Sequence, residues 1–144
     1  MANNWQILVV DDEPDVYAVT RIALRRRTHA GRGFTLTRAR SCAQAKKLLG
    51  KPGGQVFDVV VTDGVMETMT AGFDLGGFIR RDAHLSVPII LRSGIYSEPY
   101  VRKNYPGIFT VVVAKPDVTV DVLFEAIQAC LMCDSQARSV PAVA

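Results

Sequence analysis

Short apolar runs alternate with amphipathic stretches along almost the whole chain. Trp5 to Val10 is a compact apolar run ending in acids, which reads as a fully buried strand. Pro14 stands where the first turn of a helix tolerates its missing N–H. Val16, Val19, Ile22 and Ala23 then recur at helical spacing with arginines between them, and the glycines of the 28–33 stretch should end that helix. Phe34 to Ala39 reads as a second strand. Ser41 followed by Gln44 is a capping-box signature for a helix reaching about Leu49.

Val56 to Thr62 is a dense β-branched run, the best candidate for a central strand, and Asp63 follows it directly. Phe73, Leu75, Phe78 and Ile79 predict a third helix, weakened by Gly76 and Gly77. Val87 to Leu91 predicts strand four, and Ser97 to Asn104 a helix of about two turns bounded by prolines. Ile108 to Val113 predicts strand five. Val122, Leu123, Ala126, Ile127, Cys130 and Leu131 mark a last amphipathic helix. The expectation is one domain over residues 1–133, then a flexible tail over 134–144 with no output domain.

Five strands alternating with helices imply an α/β fold, a parallel sheet covered on both faces with right-handed crossovers. Such sheets bind ligands beyond the carboxyl ends of their strands. Those ends carry Asp11, Asp12 and Glu13 after strand one, Asp63 after strand three, Ser93 after strand four and Lys115 after strand five. Carboxylates gathered in one cleft repel one another, and a hard divalent cation relieves the repulsion. Mg²⁺ suits the set, because it takes few protein carboxylates and leaves room for a phosphate oxygen. Asp63 could then attack phosphorus as a carboxylate nucleophile, with Lys115 and Ser93 meeting the phosphoryl oxygens. Taken singly each group has a plainer reading: acids at a helix N-terminus, a Lys-Pro turn, a loop serine. The ordered set of four strand ends favours the chemistry.

The segments Ile7 to Pro14, Asp58 to Asp63, Pro88 to Gly94 and Val113 to Pro116 together resemble the receiver domain of bacterial two-component response regulators. The resemblance runs from about Trp5 to Met132. It implies a five-stranded (βα)5 flavodoxin-like sheet in the order 2-1-3-4-5, Asp63 as phosphoacceptor, and Mg²⁺ bound by Asp12, Asp63 and the Val65 backbone carbonyl, with Asp11 reaching the metal through water. It further implies Ser93 as switch hydroxyl, Lys115 as phosphate partner and a cis Lys115–Pro116 bond. The implied donors are a histidine kinase or a histidine phosphotransfer protein. Output would pass to an unidentified downstream protein through the face of the fourth helix, strand five and the last helix.

Three positions depart from the family pattern. Glu67 stands where receivers usually carry proline, the Met69 to Gly72 loop is one residue longer than usual, and Val112 replaces the strand-five aromatic. The Met66-Glu67-Thr68 pattern with Ala71-Gly72 resembles a receiver subgroup often joined to cyclic-dinucleotide-type phosphohydrolase outputs. Tyr96, Tyr100 and Tyr105 are the aromatics that could stand in for the missing one.

Composition narrows the picture further. With 144 residues, 49% hydrophobic and 22% charged, the chain can build a core of its own. No apolar run is long enough to span a bilayer and no secretory leader is evident, so membrane insertion is not expected and the cytoplasm is. A net charge of +3 does not call for a polyanion, and the arginines around Arg25-Arg26-Arg27 come without a recognition motif, so nucleic-acid binding is not expected. Cys42, Cys130 and Cys133 suggest reduced thiols, with Cys130 on the apolar stripe. The alternatives to a switch that catalyses only its own phosphoryl transfer are a non-switching interaction module and an aspartyl phosphohydrolase. The latter needs an Asp two residues past its nucleophile, where Val65 stands.

Overall fold

In a computed structural model of the chain, residues 3–51, 54, 56–114 and 120–137 are described, with the backbone alone for Val120 and residues 133–137. The strands are β1 (Trp5–Val10), β2 (Phe34–Ala39), β3 (Val59–Asp63), β4 (Ile89–Ser93) and β5 (Val111–Ala114). The helices are α1 (Pro14–Leu24), α2 (Cys42–Gly50), α3 (Ala71–Gly77), α4 (Glu98–Asn104) and α5 (Val120–Ala137). One parallel sheet in the order β2-β1-β3-β4-β5 joins all five strands. The order reverses between β1 and β3, which opens a crevice at their carboxyl ends.

Alternation along the central strands makes two cores. Leu8, Val10, Val60, Ile89 and Leu91 face one layer with α2, α3 and α4. Ile7, Val9, Val59, Val61, Ile90 and Val113 face the other, with Leu24 of α1 and Leu123, Ile127, Cys130 and Leu131 of α5. Parallel strands buried on both sides need such unbroken apolar runs.

Several expected boundaries move. α1 ends at Leu24, before the glycines, because Arg25 is extended and Arg26 takes a positive φ of 65°. Its inward stripe is Thr20, Ala23 and Leu24, whereas Val19 is 52% and Ile22 65% exposed. β3 starts at Val59 rather than Val56, and the Asp58 carboxylate bonds the Gln6 N–H (2.7 Å) to start the pairing. β4 continues past Leu91 through Arg92 to Ser93, and β5 starts at Val111. α3 passes into one π turn, Phe78–Asp82, closed by the Ala83 N–H on the Phe78 carbonyl (2.9 Å). α5 runs through Ala137. Ser41 caps α2 through the Gln44 N–H (3.0 Å), but Gln44 reaches back to the Arg40 N–H (2.6 Å) rather than to that of Ser41.

Candidate functional site

Strand pairing carries one residue beyond β1, where the Asp11 N–H donates to the Ala39 carbonyl (3.0 Å). The Asp11 side chain then accepts the Glu13 N–H (2.9 Å), a turn that feeds Pro14 into the first turn of α1. Asp11 is buried, and Asp12 and Glu13 are exposed at the rim. On the neighbouring strand Asp63 is the last residue of β3 and is buried. Its carboxylate accepts a long bond from the Val65 N–H (3.5 Å), which holds the start of the β3–α3 loop beside it.

One carboxylate oxygen each from Asp11, Asp12, Glu13 and Asp63 comes within 4.8 Å of the others. Of the expected metal set of Asp11, Asp12, Asp63 and the Val65 carbonyl, the three carboxylates lie together, and Glu13, which that set did not include, joins them. Oxygen donors this close suit a hard divalent cation. The donor set thus fits Mg²⁺. A separate cavity of about 770 Å³ opens between α1 and β2, lined by Tyr17, Arg21, Ile22, Arg25, Phe34 and Leu36 among others. None of the clustered acids lines it, so donor chemistry rather than cavity size marks the site.

The other expected residues divide. Ser93 ends β4, with Ala114 of β5 as its register partner. Its hydroxyl oxygen is buried and accepts the N–H groups of Tyr96 (2.8 Å) and Ile95 (3.3 Å), which shapes the β4–α4 loop. Lys115 and the Lys115–Pro116 bond lie outside the described residues.

Three groups at the site have roles that the sequence did not reveal, although Glu67 and Gly72 already stood out there as departures from the family pattern. Arg92, one residue before Ser93, is only 7% exposed and pairs in register with Asp63. Burial pulls its pKa below the ordinary arginine value, and the charges of Asp11, Asp63 and Glu13 oppose that shift. Glu67 bonds the α2 N-terminus through the N–H groups of Cys42 (3.0 Å) and Ala43 (3.4 Å). Burial pushes the Glu67 pKa up, but those bonds prevail and hold it below the usual glutamate value. Gly72 lets α3 begin against the end of β3, its N–H on the Gly64 carbonyl (3.0 Å). Gly72 is the second residue of α3, where the sequence put it at the end of the loop before that helix.

Around the loop after Ser93, aromatic rings gather on Phe73. Tyr105 stacks on it (4.2 Å between centroids), and Tyr96 (5.0 Å) and Phe109 (5.7 Å) meet it edge-on. Tyr96 also stacks on Tyr100 of α4 (5.1 Å). Val112 is half-buried against the same core.

No family model matches the chain. The 3'3'-cGAMP-specific phosphodiesterase 2 of Vibrio cholerae serotype O1 is 33% identical over 91 residues, 62% of this chain; the chain spans 17% of that relative's length. Solved structures agree over nearly the whole chain. The signal receiver domain of an HD domain-containing protein from Pseudomonas fluorescens superposes with a TM-score of 0.77 at 22% identity, covering 96% of this chain and 95% of that one. The Francisella response regulator 1452 receiver domain gives 0.75 at 19%, covering 91% and 99%. The chemotaxis response regulator CheY4 of Vibrio cholerae gives 0.69 at 23%, covering 90% and 100%. The chain has the fold of response-regulator receiver domains.

Proposed function

We propose that this protein is a phosphorylatable receiver in which Asp63 takes a phosphoryl group from a histidine kinase or a histidine phosphotransfer protein. The observation that carries the reading is the convergence of Asp11, Asp12 and Asp63 oxygens at the carboxyl edge of the sheet. Asp11, Asp12, Asp63 and the Val65 carbonyl would hold Mg²⁺, which when bound neutralises the acids and the transferring phosphoryl oxygens.

An Asp63 oxygen attacks phosphorus and a P–O bond forms. The P–N bond of the donor phosphohistidine, protonated on its other ring nitrogen, breaks, and its electron pair stays on the departing nitrogen of what is then a neutral imidazole. Asp11 and Asp12 fix the position of the attacking carboxylate, and Lys115 pairs with the oxygens of the new phosphoryl group. Ser93 turns its hydroxyl from the β4–α4 loop toward the phosphoryl group, releasing the Tyr96 N–H. The population of the α4–β5–α5 face then shifts. The role is that of a signalling domain, and the transfer onto Asp63 and its reversal are its own chemistry.

Two of the similar proteins are by name a cGAMP-specific phosphodiesterase and an HD domain-containing protein. On that ground, and on the Met66-Glu67-Thr68 pattern, the downstream partner belongs among cyclic-dinucleotide phosphohydrolases, on this chain or another. We place the protein in the cytoplasm, where the buried thiols of Cys42 and Cys130 stay reduced; among the described residues no helix is long and apolar enough to cross a membrane.

Beryllofluoride binding tests the reading. Fluorine NMR should show a protein-bound resonance that requires Mg²⁺ and is lost in Asp63→Asn. A bound resonance that survives Asp63→Asn contradicts it. The replacement of an aromatic by Val112 favours a second reading, a constitutive interaction module, which predicts unchanged partner binding in Asp63→Asn and Asp63→Glu.

A further inference from the structure

Arginine is seldom buried without a compensating partner. Arg92 sits in a central strand with 7% exposure. Register sets it beside Asp63, and alternation puts both side chains on the α1/α5 face, since Val61 and Ile90, two residues before each, belong to that core.

One terminal nitrogen of Arg92 donates to the Thr20 hydroxyl oxygen (3.1 Å). Thr20 in turn donates to the Val16 carbonyl (2.9 Å), so its oxygen is left to accept from the guanidinium. The Arg92 Nε has no hydrogen-bond partner among the described residues. A single neutral hydroxyl does not compensate a buried charge. The charges acting on Arg92 in its favour are those of Asp11, Asp63 and Glu13, three of the four acids that converge.

We propose that Arg92 is a positioning residue for the acidic site, a built-in cation that holds the carboxylates together before any divalent ion arrives and that weakens the binding of that ion. The inference rests on the reading of the acids as a Mg²⁺ site. The guanidinium and a divalent cation share one set of anions, and each raises the cost of the other by like-charge repulsion. A neutral side chain at position 92 would leave the acids repelling one another, in a site that takes the ion more tightly and depends on it more. The Thr20 bond fixes the guanidinium to α1, the helix that directly follows Asp11, Asp12 and Glu13.

Calorimetric titration of the full chain with Mg²⁺ tests this, with folding checked by circular dichroism. Arg92→Gln keeps a donor for Thr20 and loses the charge, and its Mg²⁺ affinity should rise about tenfold. Its melting temperature should also respond more to Mg²⁺ than that of wild type. Arg92→Lys keeps the charge and should bind within about twofold of wild type. Thr20→Val removes the tether and leaves the charge, and it too should stay near wild type. Arg92→Met makes the same prediction as Arg92→Gln should the glutamine variant not fold. Unchanged or weaker Mg²⁺ binding in the neutral variants overturns the proposal, as does a Thr20→Val titration that matches Arg92→Gln, for then the arginine only anchors α1. A wild-type protein that binds no Mg²⁺ at all sinks the metal reading itself, an outcome distinct from binding that is indifferent to position 92.

Discussion

Gly72 presses its α-carbon against the carbonyl of Asp63, and a Cβ there would run into that oxygen and stand 2.7 Å from the Gly64 Cα. The obstacle is backbone, which cannot swing away as a side chain can. The first turn of α3 is thereby clasped to the residue that closes the acidic site, and the Gly72 N–H on Gly64 locks the two together.

Gly72→Ala should therefore cost about 1–3 kcal/mol of folding stability by overpacking. Displacement of Asp63 should also weaken Mg²⁺ binding. Urea denaturation and a Mg²⁺ titration on the same variant check both, and a variant that loses stability while keeping wild-type affinity would separate the clasp from the site.

Glu67 supplies a pH-dependent cap on α2. Its folded pKa lies below the ordinary 4.5, with burial raising it and the Cys42 and Ala43 N–H bonds lowering it further. A depressed carboxylate pKa gives stability that is present above the unfolded value and is lost as pH falls through the folded one. Because Glu67 is exposed, solvent screening keeps the effect small, and Glu67→Ala should cost about 0.5–1 kcal/mol at neutral pH. The gap between wild-type and Glu67→Gln urea midpoints should be largest at neutral pH and close as pH falls through the lowered folded pKa of Glu67.

Phe73 sits among Tyr96, Tyr105 and Phe109, so Phe73→Ala should destabilise the domain by about 3–5 kcal/mol. Tyr96 links two parts of the proposed switch, since its N–H binds the Ser93 hydroxyl and its ring stacks on Tyr100. Beryllofluoride should shift the amide resonances of Tyr100 and Val101 in wild type. Tyr96→Ala should reduce those shifts while Tyr96→Phe preserves them.

The strand–helix alternation was legible because β1 and β2 are dense apolar or alternating runs with sharp ends. Asp11 turns the chain after β1 and Gly33 precedes β2, and both strands fall where the residues put them. β4 was harder. Arg92 and Ser93 are polar and read as loop, yet both are strand residues, because the arginine finds the Thr20 hydroxyl inside. The same pair explains α1. A threonine was not expected to face inward, but its hydroxyl is satisfied by Val16 and Arg92, which turns Val19 and Ile22 outward.

The glycines of α3 carried the opposite lesson. Gly76 lowers intrinsic helix propensity, but a Cβ there would stand 2.5 Å from Ile108, so close packing under the loop before β5 demands it. Of the site, the three aspartates were legible as acids at strand ends. The contribution of Glu13, the Arg92 charge and the Glu67 cap depend on side chains meeting across elements, which spacing along one chain does not encode.

Cys42 and Cys130 are buried, and burial pushes the Cys42 thiol pKa up. A protonated, enclosed thiol is a poor nucleophile. Both should react with Ellman's reagent in the native state far more slowly than in urea. Rapid native labelling of Cys130 would contradict the enclosure of its thiol in the core.

Intact-protein mass spectrometry after incubation with phosphoramidate or acetyl phosphate and Mg²⁺ bears most directly on the acidic site. One phosphoryl mass should appear, be lost on treatment with base, map to the peptide holding Asp63, and be absent both in Asp63→Asn and when Mg²⁺ is chelated. A chain that gains no phosphoryl group under those conditions, or that gains it equally in Asp63→Asn, would contradict the assignment of Asp63 as acceptor.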